Sequence, residues 1–286
     1  MANLRDLRKR RKSAASTRKI TKTMELVASA KLKKAQDAAA ASRPYADALR
    51  QLVGRLLASG GAHPLIKARK DVKRVLLLVA ASDRGLCGSF NAGLANLGVA
   101  AAKEHVAAGR QIDIIALGKK GGSTLAFLGF APKESRSKLV GSTKYADAES
   151  VANEAIAAFI AGTYDQVEIV YAKFISAARQ IPDRLVLLPA GKDAGSTATS
   201  NGDCEYIPDD ETVLAGVVPM AVRTALFSSL LQTSAAEHAA RRVAMKNATD
   251  AAGDMVRDLN LRYNRGRQGK ITQEIAEITG AVEAMA

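Results

Sequence analysis

The first proline in the chain is Pro44 and the last is Pro219. Residues 1–43 and 220–286 therefore lack the strongest helix breaker, and this spacing predicts long helices at both ends. At ~1.5 Å per residue such helices would run to ~65 Å and ~100 Å, against a few tens of ångströms for a compact domain of this size. They must extend beyond any domain that the middle of the chain can form. Composition agrees: 48% of the 286 residues are apolar, yet aromatics are only 4% and Trp is absent. Alanine fills the difference, and it favours helix while contributing little burial energy.

The middle of the chain has a different texture. Lys73–Ala80, Ile112–Leu117, Val167–Phe174 and Arg184–Pro189 are short apolar runs that read as strands. Helical segments near Asn91–Ala108, Ser123–Leu128 and Ala146–Ala161 separate the earlier ones. Alternation of this kind implies an α/β unit with a largely parallel sheet, of the Rossmann-like type. The polar stretch Gly191–Asp203 is a loop that precedes a return to helix near Glu211. The expected organisation is an N-terminal helix over residues 1–58, an α/β domain over 72–195 and a C-terminal helix over 210–286. Joined by one compact domain, the two helices are expected to form a long antiparallel coiled coil.

Ile271, Ile275, Ile278, Val282 and Met285 are spaced as alternating a and d positions of a coiled-coil seam. Val222, Leu226, Ser229, Thr233, Ala236, Ala240, Val243 and Asn247 continue that alternation upstream with smaller residues. The N-terminal counterpart is Leu4, Leu7, Ala14, Ile20, Met24 and Val27.

Charge is distributed unevenly. The formal net charge is +14, and residues 1–34 carry twelve Lys or Arg against Asp6 and Glu25. Arg8, Lys9, Arg10, Arg11 and Lys12 form the densest part. Such a block predicts an acidic partner: nucleic acid, anionic lipid or an acidic protein surface. A basic coiled-coil nucleic-acid binder is one reading, but no Phe or Tyr precedes Tyr45 to stack on bases. An organelle transit peptide is another, although the helical pattern runs on towards Ser42 with no cleavage-like break. No apolar run approaches the roughly 18 residues of a membrane span, and no signal core is present. A soluble, non-secreted protein is expected.

A search for chemistry finds little. Ser82–Ser89 (SDRGLCGS) follows the first strand and opens a helix, where phosphate loops sit in doubly wound folds. It fits neither glycine-rich phosphate-binding pattern, so a strand-to-helix turn capped by Ser or Asp is expected. Gly118–Gly122 (GKKGG) is too short for such a loop and reads as a solvent-facing turn. Cys87 and Cys204 are far apart and His63, His105 and His238 are scattered, so neither a metal site nor histidine catalysis is indicated. No nucleophile, base and oxyanion donor assemble, and no cofactor is expected.

Thr17–Ala28 (TRKITKTMELVA), Ala41–Tyr45 (ASRPY), Ser82–Gly88, and Arg262–Gln268 (RYNRGRQ) running into Ile271–Ala281 carry a family resemblance. Together, and in this order, they resemble the gamma subunits of F-type ATP synthases, most closely the bacterial type. The resemblance implies a non-catalytic central rotor stalk. Its helical pair would stand inside a hexamer of alpha and beta subunits, and its α/β head would join the epsilon subunit and the membrane ring of c subunits. Rotation would couple proton flow to ATP synthesis or hydrolysis at the cytoplasmic face of the bacterial inner membrane, without insertion into the bilayer. Arg267 and Gln268 align with a pair that catches a beta-subunit loop, and Met24 with a position that meets an acidic beta-subunit segment. Arg241, Thr272 and Glu277 resemble positions coupled to that methionine. The basic run Arg8–Lys12 then faces acidic loops of the ring rather than nucleic acid.

Overall fold

The structure is a computed structural model and describes residues 4–58, 63–69, 71–141, 143–190 and 209–285. The expected loop Gly191–Asp203 and Cys204 lie outside these. Along the chain the elements are α1 (Leu4–Ala58), β1 (Arg74–Ala80), α2 (Phe90–Ala107), β2 (Gln111–Leu117), α3 (Lys119–Phe127), β3 (Glu134–Arg136), α4 (Tyr145–Ile160), β4 (Gln166–Phe174), β5 (Gln180–Leu188) and α5 (Asp210–Met285). The fold is α/β with long terminal helices. Both helices run through the prolines that delimit the break-free stretches: α1 contains Pro44 and α5 contains Pro219.

The chain divides into two compact units, residues 28–241 and residues 1–27 with 242–286. The larger unit holds a five-stranded sheet in the order β3-β2-β1-β4-β5. The β1–β2, β1–β4 and β2–β3 pairs are parallel, and β5 returns antiparallel to β4. Central β1 is buried on both faces (Val75 to Ala80), as its unbroken apolar run requires of a sheet covered on both sides. On one face Leu77 and Val79 pack with Leu94, Ala101 and Leu125 of α2 and α3. On the other, Leu76 and Leu78 pack with Ile156 of α4, Leu56 of α1 and Leu226 of α5. One 18-residue window of α5 has a mean hydropathy of 1.6, apolar enough to cross a membrane by length and composition. This departs from the expectation that no such stretch exists. Leu214, Val218, Val222, Leu226 and Leu230 of α5 are in fact core residues of the α/β unit.

Three local expectations are corrected. A three-residue edge strand, β3 (ESR), is too short and polar for a hydropathy reading to find. β5 starts at Gln180 and not at Arg184, because the ladder with β4 extends through alternating polar residues. GKKGG is no solvent-facing turn: it leads into α3, and Gly121 and Gly122 are buried in its first turn. A Cβ on Gly121 would stand 2.5 Å from the Ala81 Cβ, and one on Gly122 would collide with the Ser135 hydroxyl. Small residues are required there because α3 begins tight against the ends of β1 and β3.

The smaller unit is an antiparallel helical pair. Leu4 lies against Gly266, Leu7 packs with Leu259, and Arg18 lies against Gly253. The Thr249 hydroxyl donates to the Thr21 hydroxyl at 2.8 Å. On α5 the inward positions are Met245, Thr249, Ala252, Val256, Leu259 and Tyr263, a seam spaced 4, 3, 4, 3 and 4. The expected seam is out of phase here: Val243 and Asn247 are exposed, as are Ile20 and Val27 on α1. Thr21, buried on α1, replaces Ile20. Alanine and threonine let two backbones approach closely, and larger side chains then face outward.

Candidate interaction surfaces and a filled ligand crevice

Chain order and strand order together locate where a ligand would go. From β1 the chain builds β2 and β3 on one side and then crosses to β4 on the other, so the topological switch point lies between the C-terminal ends of β1 and β4. In open α/β sheets that crevice receives the ligand. Here α5 fills it. The Thr233 hydroxyl accepts a hydrogen bond from the Ala172 backbone N–H at the end of β4 (3.2 Å), and Ala236 is fully buried among the residues of β1 and α2.

The two glycine-bearing loops beside the crevice are likewise spent on structure. Asp83 Oδ1 accepts from the Lys119 backbone N–H at 3.0 Å, and Oδ2 accepts from that of Lys138 at 2.8 Å. The Lys120 N–H reaches the Ser82 carbonyl at 3.1 Å. Two N–H groups at the start of α3, the kind that cradle phosphate elsewhere, are thereby satisfied from within. A Ser or Asp of this turn was expected to cap the helix that follows it; Asp83 caps the start of α3 instead, and Ser89, at the N-cap of α2, makes no side-chain cap. Cys87 is a buried packing thiol, with the Asn91 amide donating to its sulfur at 3.3 Å. No cluster of three metal-ligating side chains occurs among the described residues.

Of the expected contact residues, Arg267, Gln268, Thr272 and Glu277 are exposed on the last turns of α5. Glu277 accepts a hydrogen bond from Gln273 at 2.9 Å, its neighbour one turn back. Leu4, the first described residue of α1, lies beside Gly266, so no described α1 residue covers α5 beyond that point. The regular seam Ile271, Ile275, Ile278, Val282 and Met285 is consequently exposed and not a coiled-coil core within this chain. Met24 is half-buried on α1 and close in register to the Thr21–Thr249 contact. Thr272 stands 23 residues from Thr249 on α5, about 35 Å along a helix. The structure thus does not bring Met24 together with Thr272 or Glu277.

Arg241 belongs to the α/β unit. Its guanidinium pairs with Glu237 at 2.8 Å and donates to the Gly85 carbonyl at 3.3 Å, with only 12% of its side chain exposed. The basic run divides. Arg8, Lys9, Arg10 and Lys12 are exposed, whereas Arg11 turns inward. It donates to Asn260 Oδ1 at 3.2 Å and lies over the Tyr263 ring, 5.0 Å from its centre.

A helix with a bare apolar face, a basic helical surface and a sheet whose ligand seat is occupied together describe a part that works through other proteins. Comparison with known proteins decides which. The ATP synthase family model matches residues 3–285. A gamma chain from Rhodopirellula baltica is 39% identical over 294 residues, covering all of this chain and 99% of that one. One from Fuscovulum blasticum is 40% identical over 293 residues, covering both in full. The chain belongs to the ATP synthase gamma-chain family.

Solved structures agree on the fold. The rotor of the Euglena gracilis mitochondrial ATP synthase superposes with a TM-score of 0.68 at 18% identity, covering 94% of this chain and 98% of that one. The central stalk and c-ring structure of the Tetrahymena thermophila mitochondrial ATP synthase gives 0.60 at 26% identity, covering 80% and 99%. Against that gamma-chain background, sequence reasoning missed the roles of Asp83 and Thr233. Asp83 was visible only as part of a turn, and Thr233 only as a small residue in a seam.

Proposed function

We propose that this chain is the central rotor stalk of an F-type ATP synthase, coupling proton flow through the membrane sector to ATP synthesis or hydrolysis, and that it is itself non-catalytic. Its partners are the alpha and beta subunits, the epsilon subunit and the c-subunit ring. It sits as a peripheral component at the cytoplasmic face of a bacterial inner membrane. The observation that carries this reading is the uncovered end of α5, where Ile271, Ile275, Ile278 and Val282 form a regular exposed apolar face. A face of that kind calls for a protein sleeve, and full-length similarity to gamma chains supplies one. The filled crevice supports a part that transmits motion while chemistry proceeds elsewhere.

In this reading Arg267 and Gln268 engage a beta-subunit loop, and Met24 meets an acidic beta-subunit segment. Arg241, Thr272 and Glu277 set the coupling of the shaft. The exposed basic residues Arg8, Lys9, Arg10 and Lys12 face acidic loops, where charge steers and orients more than it adds affinity. Co-expression with the alpha and beta subunits of a bacterial synthase tests this. One copy of the chain should enter a large complex whose magnesium-ATP hydrolysis depends on it. A chain that stays apart and instead retards DNA in a salt-sensitive manner would overturn the stalk reading in favour of nucleic-acid binding.

A further inference from the structure

Around the filled crevice the polar contacts form a closed loop. Arg241 of α5 holds the Gly85 carbonyl. Two residues before Gly85, Asp83 holds the backbone N–H groups of Lys119 and Lys138. Three residues beyond Lys138, the Gly141 carbonyl faces His238 Nε2 of α5 at 3.4 Å. The path leaves α5 at residue 241, passes through the loops that follow β1 and β3, and returns to α5 at residue 238. Glu237 completes it by fixing Arg241.

Two atoms inside this loop are unspent. Glu237 Oε2 and His238 Nδ1 are buried without hydrogen-bond partners, on residues each only 4% exposed. A carbonyl can only accept, so His238 carries its proton on Nε2 and a bare lone pair on Nδ1. A second proton would place a cation in a buried position, on an Nδ1 that has no acceptor within hydrogen-bond reach. The charged groups around the ring are Glu237 and Arg241 of α5 and Lys31 of α1, with the Gly141 carbonyl opposite. Burial holds the imidazole below its ordinary value of 6.5; Glu237 and the Gly141 carbonyl oppose that shift, while Arg241 and Lys31 add to it.

We propose that this circuit is a latch fastening α5 to the C-terminal edge of the sheet, and that protonation of His238 opens it. Because the folded state holds the ring's proton less tightly than the unfolded chain, the fastening is complete above about pH 6.5 and is lost progressively as pH falls towards the folded-state value. The new Nδ1 proton has no buried partner, so burial drives the charged ring towards water against the pull of the Gly141 carbonyl, and the 138–141 stretch loses its tie to the helix. The latch stands whether or not the chain assembles into a synthase.

Hydrogen exchange on the full chain at about pH 7.5 and about pH 5.5, corrected for intrinsic chemical rates, tests it. Exchange across 137–141 and 232–242 should quicken about tenfold at the lower pH, while β1 stays protected. His238→Gln keeps a donor for Gly141 and cannot titrate, so its response to pH should vanish. A wild-type chain with no pH response in these segments, or a variant that keeps it, overturns the proposal. Asp83→Ala provides the second arm. At the higher pH it should speed exchange at Lys119, at Lys138 and across 237–241 together. A change at the first two sites alone would mean that no circuit reaches α5.

Discussion

At the scale of single residues, the chain places its least replaceable side chains where backbone groups would otherwise be stranded. Asp165 Oδ2 accepts the N–H groups of Lys73 and Arg74 at 2.9 Å each, and its other oxygen takes Arg69 at 2.7 Å. Burial raises its pKa, but these donors outweigh burial and the net shift is downward. A depressed carboxylate stabilises the fold at neutral pH, and that contribution disappears as pH falls through the folded-state value, below the ordinary 3.8. Asp165→Ala should cost about 2–3 kcal/mol in urea unfolding at pH 7 and flatten the acid limb of the stability profile. Gly118 has φ +141, and a Cβ there would fall on the Ala81 carbonyl oxygen. Gly118→Ala should cost roughly 3 kcal/mol or more, read as lost soluble yield or a lowered melting temperature. Neither Gly118 nor Asp83 announces its role in sequence: GKKGG and SDRG read as turns until the loops they join are seen together.

At the scale of elements, strand and helix order were legible because β1 and β4 are buried on both faces: the apolar run of β1 is unbroken, and that of β4 is interrupted only by Glu168 between Val167 and Tyr171. The long helices were legible from the distribution of proline. What misled was the choice of seam. Large apolar residues such as Ile20, Val27 and Val243 were assigned inward, but the helical pair is closed by Ala14, Thr21, Thr249 and Ala252. Size marks a core position where helices stand apart, and it marks the outer face where they are nearly touching. Leu259→Ala should therefore loosen residues 4–27 and 242–266 in hydrogen exchange, at about 2 kcal/mol, without altering the β1 protection of the other unit. Changing Ile271, Ile275 and Ile278 together to Ser should move the stability of the isolated chain by no more than about 0.5 kcal/mol each, because all three are exposed among the described residues. Comparable losses from the two sets would mean that the exposed face is packed after all.

At the scale of the whole molecule, the triple Ser change that leaves the isolated chain intact should reduce hydrolysis and proton pumping in a reconstituted complex, if a partner sleeve covers that face. Removing Val282–Ala286 should lower coupling, measured as protons pumped per ATP hydrolysed, and still permit assembly; loss of the complex would contradict this. Reversing charge at Arg8, Lys9, Arg10 and Lys12 should slow association with the alpha and beta subunits and weaken its dependence on salt. Arg267 and Gln268 are proposed as contacts from resemblance alone, since exposure on a helix does not set them apart from their neighbours. The filled crevice has a consequence of another kind. A vacant seat can be saturated, competed for and inhibited, whereas one occupied by the chain's own helix has no concentration dependence. Metabolites therefore have no entry at the switch point, and a compound aimed there would first have to evict Thr233 and Ala236 at the cost of the fold. Drug discovery against this chain is better directed at its uncovered helix than at the crevice a fold comparison would nominate.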